Sequence, residues 1–305
     1  MGLSVRIGVD LGGTKIEIIV LDDNGATVLR RRVATPAGDY SATVRAIAEL
    51  VRSAQLQIGA SATVGIATPG ALSPRSGLLR NSNSVVLNGK PLDRDIADAL
   101  GQPVRLENDA NCLAISEAVD GAGAGCRVVF GAILGTGVGG GIVIEGRLLT
   151  GLNRIGGEWG HNPLPWATEN ERPGHMCYCG KHGCIETFLS GAGLTREYFS
   201  LSQKEFPAEH IAAAEEAGEP YAVRSVAMYK HRLARSLAAL VNTLDPDVIV
   251  LGGGISNISS LYDGLPELIG QHAFSDGIRT TVVRAAHGDS SGVRGAAWLW
   301  LIKKT

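Results

Sequence analysis

The chain moves between two hydrophobic rhythms, and one arrangement of them occurs twice. An apolar, β-branched run at 5–10 is followed by Gly12 and Gly13, a second such run fills 15–21, and a turn signal at 22–25 leads into a third at 26–34. Short runs of this composition, punctuated by glycine and Asp-Asn-Gly, predict three antiparallel strands in a meander. The pattern returns at 128–134, where Gly135-Thr-Gly-Val-Gly-Gly-Gly141 forms the turn, 142–144 the returning strand, and Glu145 and Gly146 a further turn into 147–149. Strand, glycine turn, strand and turn thus recur about one domain apart. Internal duplication is the economical reading, with two similar lobes, a cleft between them and one glycine-rich hairpin from each.

The remaining segments alternate helix and strand. Val44, Ile47, Leu50, Val51 and Ala54 recur at helical spacing within 39–56, and Asp39 or Ser41 can cap that helix. Residues 62–67 read as a buried strand stopped by Thr68, Pro69 and Gly70, 92–100 as a short helix, 104–106 as a short strand, and 108–119 as a helix with a polar start. Residues 156–190 are irregular. The pattern then predicts a long helix at 221–244, a buried strand at 247–251 delivering Gly252, Gly253 and Gly254, a helix at 259–272, a strand at 279–284 and a last helix at 293–302. The fold class is α/β.

Composition narrows the function classes. At 305 residues there is room for one large domain or two smaller ones, and 45% apolar with 19% charged residues is ordinary for a soluble globular chain. A net charge of −2 argues against a generic nucleic-acid binder. No leader pattern opens the sequence, and no apolar run reaches the roughly 20 residues that a spanning helix needs. Five cysteines, three of them clustered, do not read as a secreted disulfide framework, so the expected compartment is the cytoplasm.

Three polar features carry candidate chemistry. The first is the pair of glycine turns, Asp10-Leu-Gly-Gly-Thr-Lys15 and 135–141, whose backbone N–H groups can approach phosphates, with Thr14 adding a hydroxyl and Asp10 able to hold Mg²⁺ directly or through water. Neither is a P-loop, and neither leads straight into the helix of a dinucleotide site. The second is Asn108-Asp109, at a strand end and helix start between those turns. Asp109 is placed either to cap the helix or to take the proton from an acceptor hydroxyl in phosphoryl transfer. The third is Cys177, Cys179 and Cys184, whose spacing points to zinc with one more ligand among His161, His175 and His182. His175 and His182 lie so close in sequence that strain is expected, which slightly favours His161. Three sulfurs and a histidine leave no open position, so the zinc would be structural and would order a segment with little core of its own. Glu158, His161 and Glu186 flank that segment and suit sugar hydroxyls.

Taken together, Asp10-Leu-Gly-Gly-Thr14, Asn108-Asp109-Ala-Asn111, 134–141, Gly157-Glu-Trp-Gly-His161, the cysteine motif through Glu186, and 247–254 resemble the ROK family of bacterial sugar kinases and repressors, from residue 5 to 302. Within the family, 157–166 and 287–298 are most similar to the bacterial fructokinases (mannofructokinases). The resemblance implies an actin-like ATPase fold of two RNase-H-like lobes. The small lobe would span 1–119, completed by a C-terminal helix at 291–305, and the large lobe 120–290, with the zinc-binding segment at 156–190. It implies Asp109 as base, with Asn83, Asn108, Glu158, His161 and Glu186 on the sugar. Asp10, Gly12, Gly13, Thr14, Lys15, Gly135, Thr136, Gly137, Gly139, Gly252, Gly253 and Gly254 would bind ATP and Mg²⁺, and His161, Cys177, Cys179 and Cys184 would bind zinc. The expected reaction converts D-fructose to fructose 6-phosphate, with mannose as a possible second substrate. N-acetylglucosamine kinase and glucokinase are the alternatives. A repressor would need a DNA-binding module ahead of Asp10, where only nine residues stand. A homodimer without nucleic-acid or membrane partners is expected.

Overall fold

A computed structural model describes residues 5–301 and 303–304. The first sheet begins with β1 (Val5–Leu11), β2 (Lys15–Leu21) and β3 (Thr27–Ala34), antiparallel as the pattern predicts. Helix α1 (Tyr40–Ile58) follows, then β4 (Ala62–Thr68). Of the two candidate caps, Asp39 acts, accepting from the Ala42 N–H at 2.8 Å. A small hairpin of β5 (Ala71–Leu72) and β6 (Leu79–Arg80) was not legible, because two-residue strands carry no period. Helix α2 (Leu92–Leu100), β7 (Val104–Asn108) and α3 (Asp109–Val119) complete this half. The sheet runs β3-β2-β1-β4-β7, with β4 and β7 parallel to β1.

The second half repeats the plan. β8 (Val128–Leu134), β9 (Val138–Ile144) and β10 (Arg147–Leu148) form an antiparallel meander. After α4 (Ile185–Leu189), α5 (Gly191–Ser202), α6 (Ala208–Glu216) and α7 (Pro220–Leu244) comes β11 (Val248–Gly252), then α8 (Leu265–Gly270) and β12 (Thr281–Arg284). β11 lies parallel to β8, and β12 parallel to β11, in the order β12-β11-β8-β9-β10. Each sheet is therefore a three-stranded meander extended by two parallel strands.

Helix α9 (Ser291–Trp298) returns across the first sheet, and β13 (Lys303–Lys304) then pairs with β10 of the second. The last helix is thus shorter than 293–302 or 291–305. The predicted 259–272 helix is likewise broken into a turn at Ser259–Leu261 and α8, because Gly264 takes a left-handed φ of 67° between them.

The central layer is α3 and α9, held between the sheets with Cys112, Ile115, Val129, Val250, Ala296 and Trp298 in its core. Close approach here requires glycine: a Cβ on Gly295 would lie 1.7 Å from the Cys112 carbonyl oxygen, and one on Gly8 2.0 Å from that of Val293. The outer faces are covered by α1 and α2 on one side, around Ile7, Val9, Ile47 and Val51, and by α4–α8 on the other, around Phe130, Leu134, Tyr229 and Leu251. Strands covered on both faces read as unbroken apolar runs, which is why β4, β8 and β11 show no alternation.

Candidate active site and metal centre

The second glycine run is not all turn. The turn is Gly135–Gly137, closed by the Gly135 N–H on the Gly137 carbonyl at 3.0 Å, and β9 already begins at Val138. Gly139 therefore lies in a strand, where a Cβ would meet that of Ala110 at 3.3 Å, and a Cβ on Gly141 would stand 2.6 Å from the Ala110 carbonyl oxygen. These later glycines let α3 pack onto the strand. The sequence reading took them for turn residues because both roles select the same residue type. Thr136 at the tip of this turn is exposed, as is Thr14 at the tip of the first.

Where the two halves meet, a cleft of about 430 Å³ is lined by Asp10, Gly12, Gly13, Lys15, Asn83, Asp109 and Gly253. Gly288 and Gly292, from the approach to α9 and its first turn, complete the wall and were not singled out in the sequence. Gly252 ends β11 and Gly254 opens the turn after it, so both flank this wall.

Asn108 and Asp109 divide the two roles that the sequence left open at this helix start. Asn108 is the cap, its side chain accepting from the Asn111 N–H at 2.8 Å. Asp109 is therefore free of capping. Its Oδ1 is held by the Ala110 N–H at 2.8 Å, and the residue lines the cleft beside Asp10.

Charge is concentrated here. Burial pushes the Asp109 carboxyl up, partly offset by the Ala110 N–H, and the Glu158 charge adds to the rise. Asp10 is pushed up to about 7 by burial and by Asp109 and Glu17, against a smaller opposing pull from Lys15. Glu158 is raised by burial and by Glu186, with His161 and Arg80 opposing. Asp10 with Asp109, Asp109 with Glu158, and Glu158 with Glu186 thus act on one another in turn as like charges. A divalent cation beside Asp10 would relieve the crowding at the phosphate end of the cleft, so the donor set fits Mg²⁺.

The other end is built by the irregular segment. Glu158 precedes a turn at Trp159–His161, and Glu186 sits in the first turn of α4, directly after Cys184. Glu186 Oε2 accepts from the Val138 N–H at 2.9 Å, under the glycine turn of β8 and β9. The His161, Cys177, Cys179 and Cys184 ligand atoms all lie within 4.8 Å of one another. Cys177 Sγ is 3.6 Å from His161 Nδ1, and Cys179 Sγ is 3.6 Å from Cys184 Sγ. Tetrahedral zinc with bonds of about 2.3 Å to sulfur spaces its ligands about 3.8 Å apart, so this donor set fits the metal. His175 and His182 stand outside the cluster. The His182 ring nitrogen faces the Gly174 carbonyl at 3.2 Å instead.

Two residues beside this cluster were missed. Tyr178, between the first two cysteines, places its hydroxyl 3.0 Å from His161 Nε2. Arg80, on the β5–β6 hairpin of the first half, donates from Nη2 to the Asn153 carbonyl of the second at 2.8 Å. Tyr178 lies inside a metal motif whose spacing draws attention to the cysteines alone. Arg80 acts across a long-range contact that no local pattern reports. A third unpredicted feature anchors the segment: Arg232 and Arg235 on α7 both donate to Glu171, at 2.8 and 2.7 Å, and Arg235 also donates to the Trp166 carbonyl at 2.6 Å.

Comparison with known proteins adds four matches. The family model described as the ROK family matches residues 6–303. The N-acetyl-D-glucosamine kinase of Yersinia enterocolitica is 39% identical over 97% of this chain and 99% of its own. Among solved structures, the ROK hexokinase from Thermus thermophilus superposes with a TM-score of 0.85 at 33% identity, covering 96% of each chain. The ROK family glucokinase from Streptomyces griseus, solved with glucose and AMPPNP, gives 0.79 at 30% identity, covering 98% of this chain and 99% of its own.

Proposed function

The chain belongs to the ROK family, and we propose that it is an ATP-dependent sugar kinase whose substrate is N-acetyl-D-glucosamine, phosphorylated on its primary hydroxyl. The observation that carries the kinase reading is the cleft itself, in which Asp109, free of the capping role, lies beside Asp10, Gly12, Gly13 and Lys15 of the first glycine turn and Gly253 of the second sheet. The choice of sugar rests on the relatives: the Yersinia enterocolitica enzyme at 39% identity is named for N-acetyl-D-glucosamine, and that of Vibrio cholerae, at 41%, carries the same name. This ranks N-acetylglucosamine above the D-fructose that the sequence resemblance favoured. Fructose stays as the second reading on the sequence resemblance of 157–166 and 287–298 alone.

The roles proposed for the individual residues extend this reading. The turns at Gly12–Gly13 and Gly135–Gly137 present backbone donors to the phosphates, and Lys15 adds a positive charge at the cleft. Gly252, Gly253 and Gly254 face the nucleoside side. Asp10 would hold Mg²⁺, which when bound offsets charge on the phosphates. Glu158, His161 and Glu186 bind the sugar hydroxyls, with Asn83 on the cleft wall and Asn108 at the helix start. Asp109 accepts the proton of the acceptor hydroxyl as the bond to phosphorus forms. Its raised pKa keeps it a better proton acceptor than an ordinary carboxylate while it remains ionised above the raised value. His161, Cys177, Cys179 and Cys184 hold a structural zinc that fixes the sugar-binding residues. Residues 1–119 with α9 form one lobe and 120–290 the other, and their closure excludes water that would compete with the sugar as acceptor.

A sugar panel in a coupled ATP assay, with product identification, tests the reading. N-acetylglucosamine should give the highest kcat/KM, with phosphate on the primary hydroxyl. Fructose turned over far better would restore the second reading, and ATP consumption with no sugar in the panel would defeat both.

A further inference from the structure

We infer that Glu117 is a positioning residue for the nucleotide: its buried carboxylate holds the segment 286–291 so that Gly288 and Gly292 stand as a wall facing Asp10, at the width that the phosphates and their cation need. This rests on the sugar-kinase reading above and deepens it. Glu117 lies about two turns along α3 from Asp109 and is fully buried. Its carboxylate gathers four donors. Oε2 accepts from the Ala122 N–H at 2.8 Å and from the Ala286 N–H at 3.0 Å. Oε1 accepts from the His287 N–H at 3.4 Å and from the Ser291 hydroxyl at 2.9 Å. All four are backbone N–H or hydroxyl groups, so ion pairing does not account for burying this charge. Three of the four belong to the segment that leads into α9, and the carboxylate acts chiefly as a clamp on it.

The clamp is doubled at the end of α3. Asp120 Oδ1 lies 3.1 Å from His287 Nε2, and Asp120 also pairs with Arg294 of α9. Gly121 belongs to the same joint, since a Cβ there would lie 2.3 Å from Glu117 Oε2. The helix that opens with Asp109 therefore also fixes where Gly288 and Gly292 stand, and both line the cleft with Asp10, Gly12 and Gly13. Gly288 takes a left-handed φ of 53°, so its backbone favours glycine. Gly292 is different. It lies within α9, and a Cβ there would meet nothing closer than Asp10 Oδ2, at 3.6 Å. Neither backbone nor packing requires glycine at this position, and alanine is the better helix former. What a methyl group would take is open space beside Asp10, the carboxylate proposed to hold Mg²⁺. The bare backbone of Gly292 keeps that space for the phosphates, and Glu117 sets the distance at which the backbone stands.

Variants of the wall and of the clamp are titrated with a non-hydrolysable ATP analogue in the presence of Mg²⁺ and, separately, with N-acetylglucosamine, and each is melted thermally. Gly292→Ala should melt no lower than wild type, yet bind the analogue about tenfold or more weakly, because the methyl group crowds a filled site. Glu117→Gln replaces one acceptor oxygen of the clamp with an amide that cannot accept, and should weaken analogue binding about 3- to 10-fold. Sugar affinity should stay within about twofold in both. Should Glu117→Gln fail to fold, Ser291→Ala, which removes a single clamp donor, takes its place with the same expectation. Analogue affinity within twofold of wild type in folded Gly292→Ala, or in the folded clamp variant, overturns the inference. So does an equal loss of sugar and nucleotide affinity, which marks a role in folding alone. Wild-type protein that binds no nucleotide overturns the kinase reading instead.

Discussion

The two ends of the cleft are built by opposite means. At the phosphate end, the glycine turns hang from sheets whose strands are buried on both faces, and α3 and α9 lock the sheets together through backbone-to-backbone contacts. At the proposed sugar end, 156–184 holds only short turns and isolated bridges, tied by a candidate metal-ligand cluster, the Arg232–Glu171–Arg235 bonds to α7, and the Ile185 N–H on the Asn162 carbonyl at 2.9 Å. One end is fixed by packing and the other by a few polar and coordinating contacts. The first is expected to be the more robust, and the second the more adjustable.

The largest effect should come from the residue where the ends meet. Asp109→Asn keeps the Ala110 N–H bond to the side-chain oxygen and the shape of the cleft, so folding and sugar binding should persist. Turnover should fall about 10²- to 10⁴-fold, the usual contribution of a single base. Steady-state kinetics with a parallel sugar-binding titration checks this, and turnover near wild type would show that Asp109 is not the base.

A smaller and more selective effect is expected at Glu171. Burial alone would raise its carboxyl, but hydrogen bonds from Arg235 and Arg232 outweigh that and hold it down at about 2, against an ordinary 4.5. A carboxyl depressed on folding contributes stability that is fully present above the unfolded value and is lost as pH falls through the folded one. The wild type should therefore lose stability relative to Glu171→Gln as pH falls from 4.5 toward 2, with the difference constant above that window. Paired thermal melts across pH test this. Parallel curves would mean that the arginine clamp does not anchor the segment through charge.

The same contrast governs what could be read from the sequence. The meanders, the buried strands and the duplicated plan were legible, because period and β-branched composition are local. The candidate metal ligands were legible by spacing, which slightly favoured His161 over His175 and His182 before the resemblance pointed to it, and the geometry gathers that set. The extent of the second glycine turn was misread, because glycines demanded by α3 packing look like glycines demanded by a phosphate. The break at Gly264 and the end of α9 were missed, since apolar spacing continued past both. Arg80, Tyr178 and the Glu171 clamp were invisible for a different reason: each is defined by a partner far away in the chain or by its place in a folded knuckle.

The most direct test of the account is a paired titration of Cys179→Ser and wild-type protein with N-acetylglucosamine and, separately, with a non-hydrolysable ATP analogue, after metal content and folding have been verified. Loss of zinc should weaken sugar binding by about tenfold or more while nucleotide binding stays within about twofold, because positioning of the sugar residues depends on the cluster and the phosphate turns are set by the sheets. Equal loss of both affinities, or full sugar affinity in metal-free folded protein, would contradict the division of the cleft into a packed phosphate end and a zinc-ordered sugar end.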